Sequence, residues 1–104
     1  MKETITFVTC KDRAQALRIA RALVREKLAA CVNVASGVTS IYAWKGKIEK
    51  ARETLLLIKS RAALSRRIVV RVGALHSYSV PEVVTLAIQS GHPAYLRWIR
   101  QATR

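Results

Sequence analysis

Val38-Thr39-Ser40-Ile41-Tyr42-Ala43-Trp44-Lys45-Gly46-Lys47-Ile48-Glu49-Lys50-Ala51-Arg52 is the stretch on which the fold turns. β-Branched and aromatic residues in extended alternation run into Lys45-Gly46-Lys47, a short turn centred on glycine, and the chain returns through 48–52. This is a β-hairpin. Its returning strand continues into Glu53-Thr54-Leu55-Leu56-Leu57-Ile58-Lys59-Ser60, whose apolar run predicts cover on both faces. Upstream, Ser36-Gly37 reads as a bulge, and Cys31-Val32-Asn33-Val34 extends the first strand beyond it. Such a hairpin is long for a chain of 104 residues. Its ends are therefore expected to overhang the protomer's own sheet, and an overhanging strand edge calls for pairing with a neighbour. Tyr42 and Trp44 share one face of this arm and are the expected anchors of that interface.

The hairpin lies between two β-α units. Thr4-Ile5-Thr6-Phe7-Val8-Thr9-Cys10 reads as a strand, and Asp12 as the N-cap of a helix over 13–27. In that helix Ala16, Ile19, Ala20, Leu23 and Val24 share one face, with Arg18, Arg21 and Arg25 opposite. Downstream come a helix over 62–75, a strand over 82–89 opened by Val80-Pro81, a break at Ser90-Gly91, and a closing helix over 93–103. The order β-α-β-β-α-β-α predicts an α+β, ferredoxin-like fold, an antiparallel sheet with helices on one face, and residues 1–104 form a single domain.

Composition narrows the function classes. An apolar share of 51% beside 24% charged residues excludes a disordered chain. No apolar run reaches the roughly 18 residues of a transmembrane helix. Met1-Lys2-Glu3-Thr4 leads into a short apolar run without a signal peptide's core, and two cysteines, Cys10 and Cys31, are too few for a disulfide scaffold. Free thiols in the cytoplasm are expected. Nineteen basic against six acidic residues give a net charge of +13, which predicts non-specific attraction to polyanions. No glycine-rich phosphate loop, zinc spacing or nucleophile elbow occurs. Apart from Glu49 and Glu53, no two carboxylates lie within four residues of each other. The RNA-binding use of this fold needs exposed aromatics on the central strands, where Phe7 stands alone. The chain is not expected to be an enzyme or to require a cofactor.

Four segments carry a resemblance: Leu28-Ala29-Ala30-Cys31-Val32-Asn33, then Ser40 through Ile48 of the hairpin, then Leu75-His76-Ser77-Tyr78-Ser79-Val80-Pro81-Glu82, then Ala94-Tyr95-Leu96-Arg97-Trp98. In order and spacing they resemble the CutA family of divalent-cation tolerance proteins. The resemblance implies a ferredoxin-like protomer in a tight homotrimer, related in architecture to PII signalling proteins. It implies a link to tolerance of copper and other divalent metals without a defined enzymatic activity. It also implies a cleft between protomers that gathers Cys31, Trp44, Lys59, His76, Tyr78 and Glu82. A thiolate, an imidazole and a carboxylate, from Cys31, His76 and Glu82, suit copper or another divalent cation, held weakly. Plainer readings stand beside these: Cys31 as a small buried hydrophobe, His76 as a helix C-cap, Lys59 and Glu82 as a cross-strand ion pair, Trp44 and Tyr78 as packing. Cys10 reads as incidental, and His92 receives no role.

Two features depart from the family pattern. Its His-Pro-Tyr-Glu-like segment is His76-Ser77-Tyr78-Ser79 here, one carboxylate short, and the +13 charge opposes free cations. In the second helix Leu64, Ile68, Val72 and Leu75 are expected in the core. Val69, Val70, Gly73 and Ala74, with Ala14 and Leu17 of the first helix, fall where the family usually keeps polar residues. These predict an apolar patch rimmed by Arg13, Arg18, Arg21, Arg66 and Arg67, a surface for a second protein chain; the alternative is a rotated pair of helices with the patch as core. Three functions are thus in play: a non-enzymatic trimeric metal-tolerance protein, a trimeric scaffold or assembly component, natural or surface-engineered, that binds another chain through Ala14, Leu17, Val69, Val70 and Ala74, and a basic polyanion binder. None involves a membrane.

Overall fold

β1 (Glu3–Cys10) pairs antiparallel with both β3 (Lys47–Arg61) and β4 (Val83–Ala87), and β2 (Cys31–Trp44) pairs with β3, giving the sheet order β2-β3-β1-β4. The computed structural model describes residues 3–104, so the part of the N-terminal reading that rests on Met1 and Lys2 lies outside the described residues. α1 (Arg13–Arg25) follows β1, α2 (Ser65–Leu75) follows β3 through one 3₁₀ turn at Ala62–Leu64, and α3 (Pro93–Gln101) closes the chain. The expected ferredoxin-like order is the observed one. No described helix is long and apolar enough to cross a membrane.

Strand alternation sorts the sheet into two faces. Val8 and Cys10 of β1, Leu56 and Ile58 of β3, and Val32 and Val34 of β2 meet Ala16, Ile19, Leu23, Ile68 and Val72 from α1 and α2, which forms the core. Asp12 caps α1 as expected, its Oδ1 accepting from the Gln15 amide at 2.9 Å. The helix stops at Arg25 rather than at 27 because Lys27 turns to a positive φ of 61° and the Leu28 amide folds back to the Leu23 carbonyl. Val24, expected on the core face, is 44% exposed. β4 is shorter than the expected 82–89, pairing with β1 from Val83 to Ala87, and the Ile88 amide donates one more bond to the Glu3 carbonyl at 2.9 Å.

α1 and α2 share one face of the sheet as expected, and the closing helix α3 goes to the other. Glu3 and Arg61 are register partners on the face away from α1 and α2. Arg100 donates to Glu3 Oε2 at 2.7 Å, and Arg61 Nε donates to Thr103 Oγ1 at 3.0 Å. The chain following β4 thus brings α3 across one end of this face, a crossing that no local pattern specifies. His92, given no role from sequence, caps α3 by accepting from the Ala94 amide at 3.1 Å. Elsewhere the face stays open. Leu56 and Ile58 are fully buried on the core side, whereas Leu55 and Leu57 are half-buried and Val84 and Leu86 exposed on the other. The double cover expected for this run is therefore not completed within one protomer.

β1 spans β3 only from Thr54 to Arg61, while β2 stays paired to β3 out to Trp44 opposite Lys47. Residues 47–53 therefore project past the sheet as a two-stranded arm of roughly 23 Å at about 3.3 Å per residue, in a molecule 44 Å long. Lys45 and Gly46 both take positive φ, 51° and 77°, the two-residue turn whose twist matches a hairpin. The bulge sits between Ala35 and Val38, around Gly37 at φ +80°, where Ser36-Gly37 predicted it.

Candidate functional site

The polar groups of the chain collect where the arm leaves the sheet. Glu53, the residue of β3 just before β1 begins to pair, is 9% exposed. Its carboxylate accepts from Ser40 Oγ at 2.6 Å and from Tyr78 Oη at 2.9 Å. Tyr78 arrives from the α2–β4 loop, held there by His76, the C-cap of α2. The Tyr78 amide donates to His76 Nδ1 at 3.0 Å, so His76 Nε2 carries the proton that it gives to the Thr9 carbonyl at 2.8 Å. The two rings stack at 4.7 Å. Burial, then the bond to Glu53, pushes the Tyr78 phenol up to about 12. Under this cluster lies Cys10, fully buried, its thiol pushed up to about 11 by burial and then by the carboxylates of Glu53 and Asp12. Every group here is a proton donor saturating one carboxylate or a ring with both nitrogens engaged. None is an activated nucleophile or base.

A second cluster forms at the opposite end of the sheet. Cys31 faces Lys59 across the β2–β3 pair on the open face, Lys59 Nζ donates to Asn33 Oδ1, and Tyr95 of α3 stands beside the thiol. Lys59 and Glu82 do not form the expected ion pair: Glu82 precedes β4 near Thr9, whose Oγ1 reaches it at 3.5 Å. The roles read for the two cysteines are exchanged, since Cys31 is half-buried and Cys10 is the core thiol.

The residues read as metal ligands are not brought together in one protomer. Cys31 shares a rung with Lys59 and Ile5, whereas His76 bonds Thr9, four residues further along β1 and about 13 Å away at strand spacing. Among the described residues no three His, Cys, Asp or Glu side chains gather to hold a metal ion. The donors of a single protomer do not fit a divalent cation.

Tyr42 and Trp44 lie on one face of the arm, 45% and 60% exposed, and the reverse face adds Ile41 and Ile48, 69% and 77% exposed, which the sequence reading did not single out. The helix residues are outward, as the patch reading requires: Val69 and Val70 are 46% and 69% exposed, with Ile68 and Val72 in the core. Ala14 and Ala74 are exposed and Leu17 half-buried. They do not line one depression. Val70 and Ala74 line a groove with Glu26 and Arg71, while Leu17 lines another with Val24, Val32 and Val34.

The family model of the CutA1 divalent ion tolerance protein matches residues 4–102. The chain belongs to this family. It is 46% identical over 97 residues to mouse Protein CutA, covering 93% of this chain and 55% of the mouse one. It is 45% identical over 101 residues to the Divalent-cation tolerance protein CutA of Thermus thermophilus, covering 97% and 98%. The chain thus spans about half the length of the animal and plant relatives and nearly all of the bacterial one. Among solved structures, Cut A1 of Thermus thermophilus superposes with a TM-score of 0.96 at 44% identity over 98% and 99% of the two chains. CutA1 of Oryza sativa gives 0.97 at 39% over 100% and 95%.

Within this CutA1 chain, Glu53 is the residue of the polar cluster that sequence reasoning did not single out. The signal was present: once Lys45-Gly46 is the turn, Ser40 stands opposite Ala51 and diagonal to Glu53, so a hydroxyl–carboxylate pair at the base of the arm follows from register alone.

Proposed function

We propose that this chain works as a homotrimer without enzymatic activity, and that its part in divalent-cation tolerance depends on that assembly. The observation that carries the reading is the arm. It projects past the edge that β1 covers and bears Ile41, Tyr42, Trp44 and Ile48 on its two faces, more exposed apolar surface than an isolated two-stranded ribbon tolerates. The open sheet face, with Phe7, Leu55, Leu57, Val84 and Leu86, supplies the complementary apolar ground. Copper or another divalent cation, in this reading, is held weakly and only across a protomer boundary, because Cys31 lies four rungs from Glu82 and His76 in its own protomer. Cys31 and Glu82 are its donors, and His76 joins them only by giving up the Tyr78 amide. Two free thiols suit a reducing compartment, and the cytoplasm is the location proposed.

Light scattering after size exclusion in moderate salt tests the assembly. Three protomers of 11.6 kDa weigh about 35 kDa, and a mass of one protomer overturns the reading. In the trimer, Cys31→Ser is expected to weaken copper binding in a calorimetric titration, and unchanged binding removes Cys31 from the site.

A further inference from the structure

Between the C-terminal end of α1 and α2 runs an open groove whose floor is Ala63, Val70 and Ala74 and whose rim is Arg66, Arg67 and Arg71. Arg71 is committed to Glu26, 2.7 Å away. Among the described residues Arg66 and Arg67 make no ion pair, and the first turn of α2 that they occupy holds no acid to offset its dipole. Val70 is 69% exposed on the floor. One turn on, Gly73 lies in the last turn of α2, where a methyl group would meet nothing within 4 Å. The groove lies on the helix side, away from the open sheet face, so assembly through that face and the arm leaves it free.

We infer that this groove docks an acidic, methyl-rich segment of another protein. Carboxylates of the segment meet Arg66 and Arg67, and small aliphatic side chains settle on Val70 and Ala74. Charge complementarity selects the sign of the partner, since the one carboxylate that lines the groove, Glu26, is taken up by Arg71, and Arg66 and Arg67 make no ion pair among the described residues. The apolar floor selects its class. A nucleic acid offers phosphates but needs aromatic faces or a polar floor for its bases, and α1 and α2 carry no aromatic residue. A polypeptide offers carboxylates interleaved with methyl groups. The inference does not depend on the oligomeric state.

The test selects a random peptide library on the intact protein at physiological salt, with counter-selection on a Val70→Asn, Ala74→Asn variant, which keeps the charge and removes the apolar floor. Enriched peptides are expected to alternate Asp or Glu with Ala, Val or Leu. A synthetic peptide of the enriched sequence is expected to bind at least about tenfold more weakly to that variant and to an Arg66→Glu, Arg67→Glu variant. Both changes are on exposed side chains, and unaltered far-UV circular dichroism and particle mass establish that the variants fold. Enrichment of acidic peptides without aliphatic residues, or equal binding to the asparagine variant, reduces the groove to simple charge attraction and overturns the inference. So does the absence of enrichment, or an oligonucleotide that binds more tightly than the peptide and loses its site in the same variants.

Discussion

The structure makes Glu53 the fastening between the arm and the domain, and a double-mutant cycle measures it. Tyr78→Phe removes a 2.9 Å hydrogen bond to a carboxylate that is 9% exposed and leaves Ser40 as its remaining side-chain donor. A hydrogen bond to a charged group contributes about 1.5–3 kcal/mol, and because Tyr78 is 37% exposed, water replaces part of it. The expected loss is about 1–2 kcal/mol. Glu53→Gln keeps the shape and removes the charge, and the coupling between the two changes is expected at about 1 kcal/mol. The assay is urea unfolding followed by tryptophan fluorescence at one fixed protein concentration, because assembly makes apparent stability concentration-dependent. The phenol supplies a second readout. Ionising Tyr78 places a phenolate against the Glu53 carboxylate, which helps push it up to about 12, so Glu53→Gln is expected to lower that titration. Additive single-mutant losses together with an unmoved phenol would refute the idea that Glu53 holds the arm through Tyr78.

Two further outcomes follow from the buried groups. Cys10 is fully buried with its thiol at about 11, so an aromatic disulfide reagent at neutral pH is expected to titrate at most one thiol per native protomer, and none after Cys31→Ser. Its raised value favours the neutral folded form, so that stabilisation is complete below the unfolded thiol range. It is lost as pH rises towards about 11, by up to about 2–3 kcal/mol, and Cys10→Ala is expected to flatten the alkaline limb of the stability curve. At the acid end, donation from Arg100 holds the Glu3 carboxyl below its usual range. That contribution is present above the unfolded carboxylate range and lost as pH falls through the lowered folded value, so Arg100→Met is expected to remove part of the acid dependence measured by thermal unfolding.

The elements legible in the sequence are those set by neighbours along the chain. Asp12 reads as a cap because its partner is three residues away, Ser36-Gly37 as a bulge and Lys45-Gly46-Lys47 as a turn because their backbone demands are local. The contacts that build the sites span 25 residues from Tyr78 to Glu53 and 67 from His76 to Thr9. No periodicity carries those. The same reason hid the path of α3: its amphipathic pattern says that Ile99 is buried, not which face of the sheet buries it. Cys10 reads as the last residue of a strand, but its full burial comes from register opposite Thr54, a pairing that no local pattern gives.

Charge and site geometry together constrain how a chain of this family contributes to cation tolerance. Each protomer carries +13, and the proposed assembly would concentrate that charge. At physiological salt the field decays over about 8 Å, so a divalent ion approaching the surface meets repulsion within the reach of any exposed donor. Among the described residues of a protomer no preformed set of ligands offsets that repulsion: the ring nitrogens of His76 are both engaged, and Cys31 stands about 13 Å along the sheet from Thr9. A strong scavenger of free cations requires the reverse, converging donors in a negative field. What the surface does favour is an anionic partner, and the two arginines above Val70 are where an apolar floor turns that attraction into selection. If the groove binds its acidic segment and the proposed trimer holds copper only weakly, a contribution to cation tolerance through a partner is favoured over sequestration. Tight copper binding by the trimer alone, retained in Arg66→Glu, Arg67→Glu, would decide for sequestration instead.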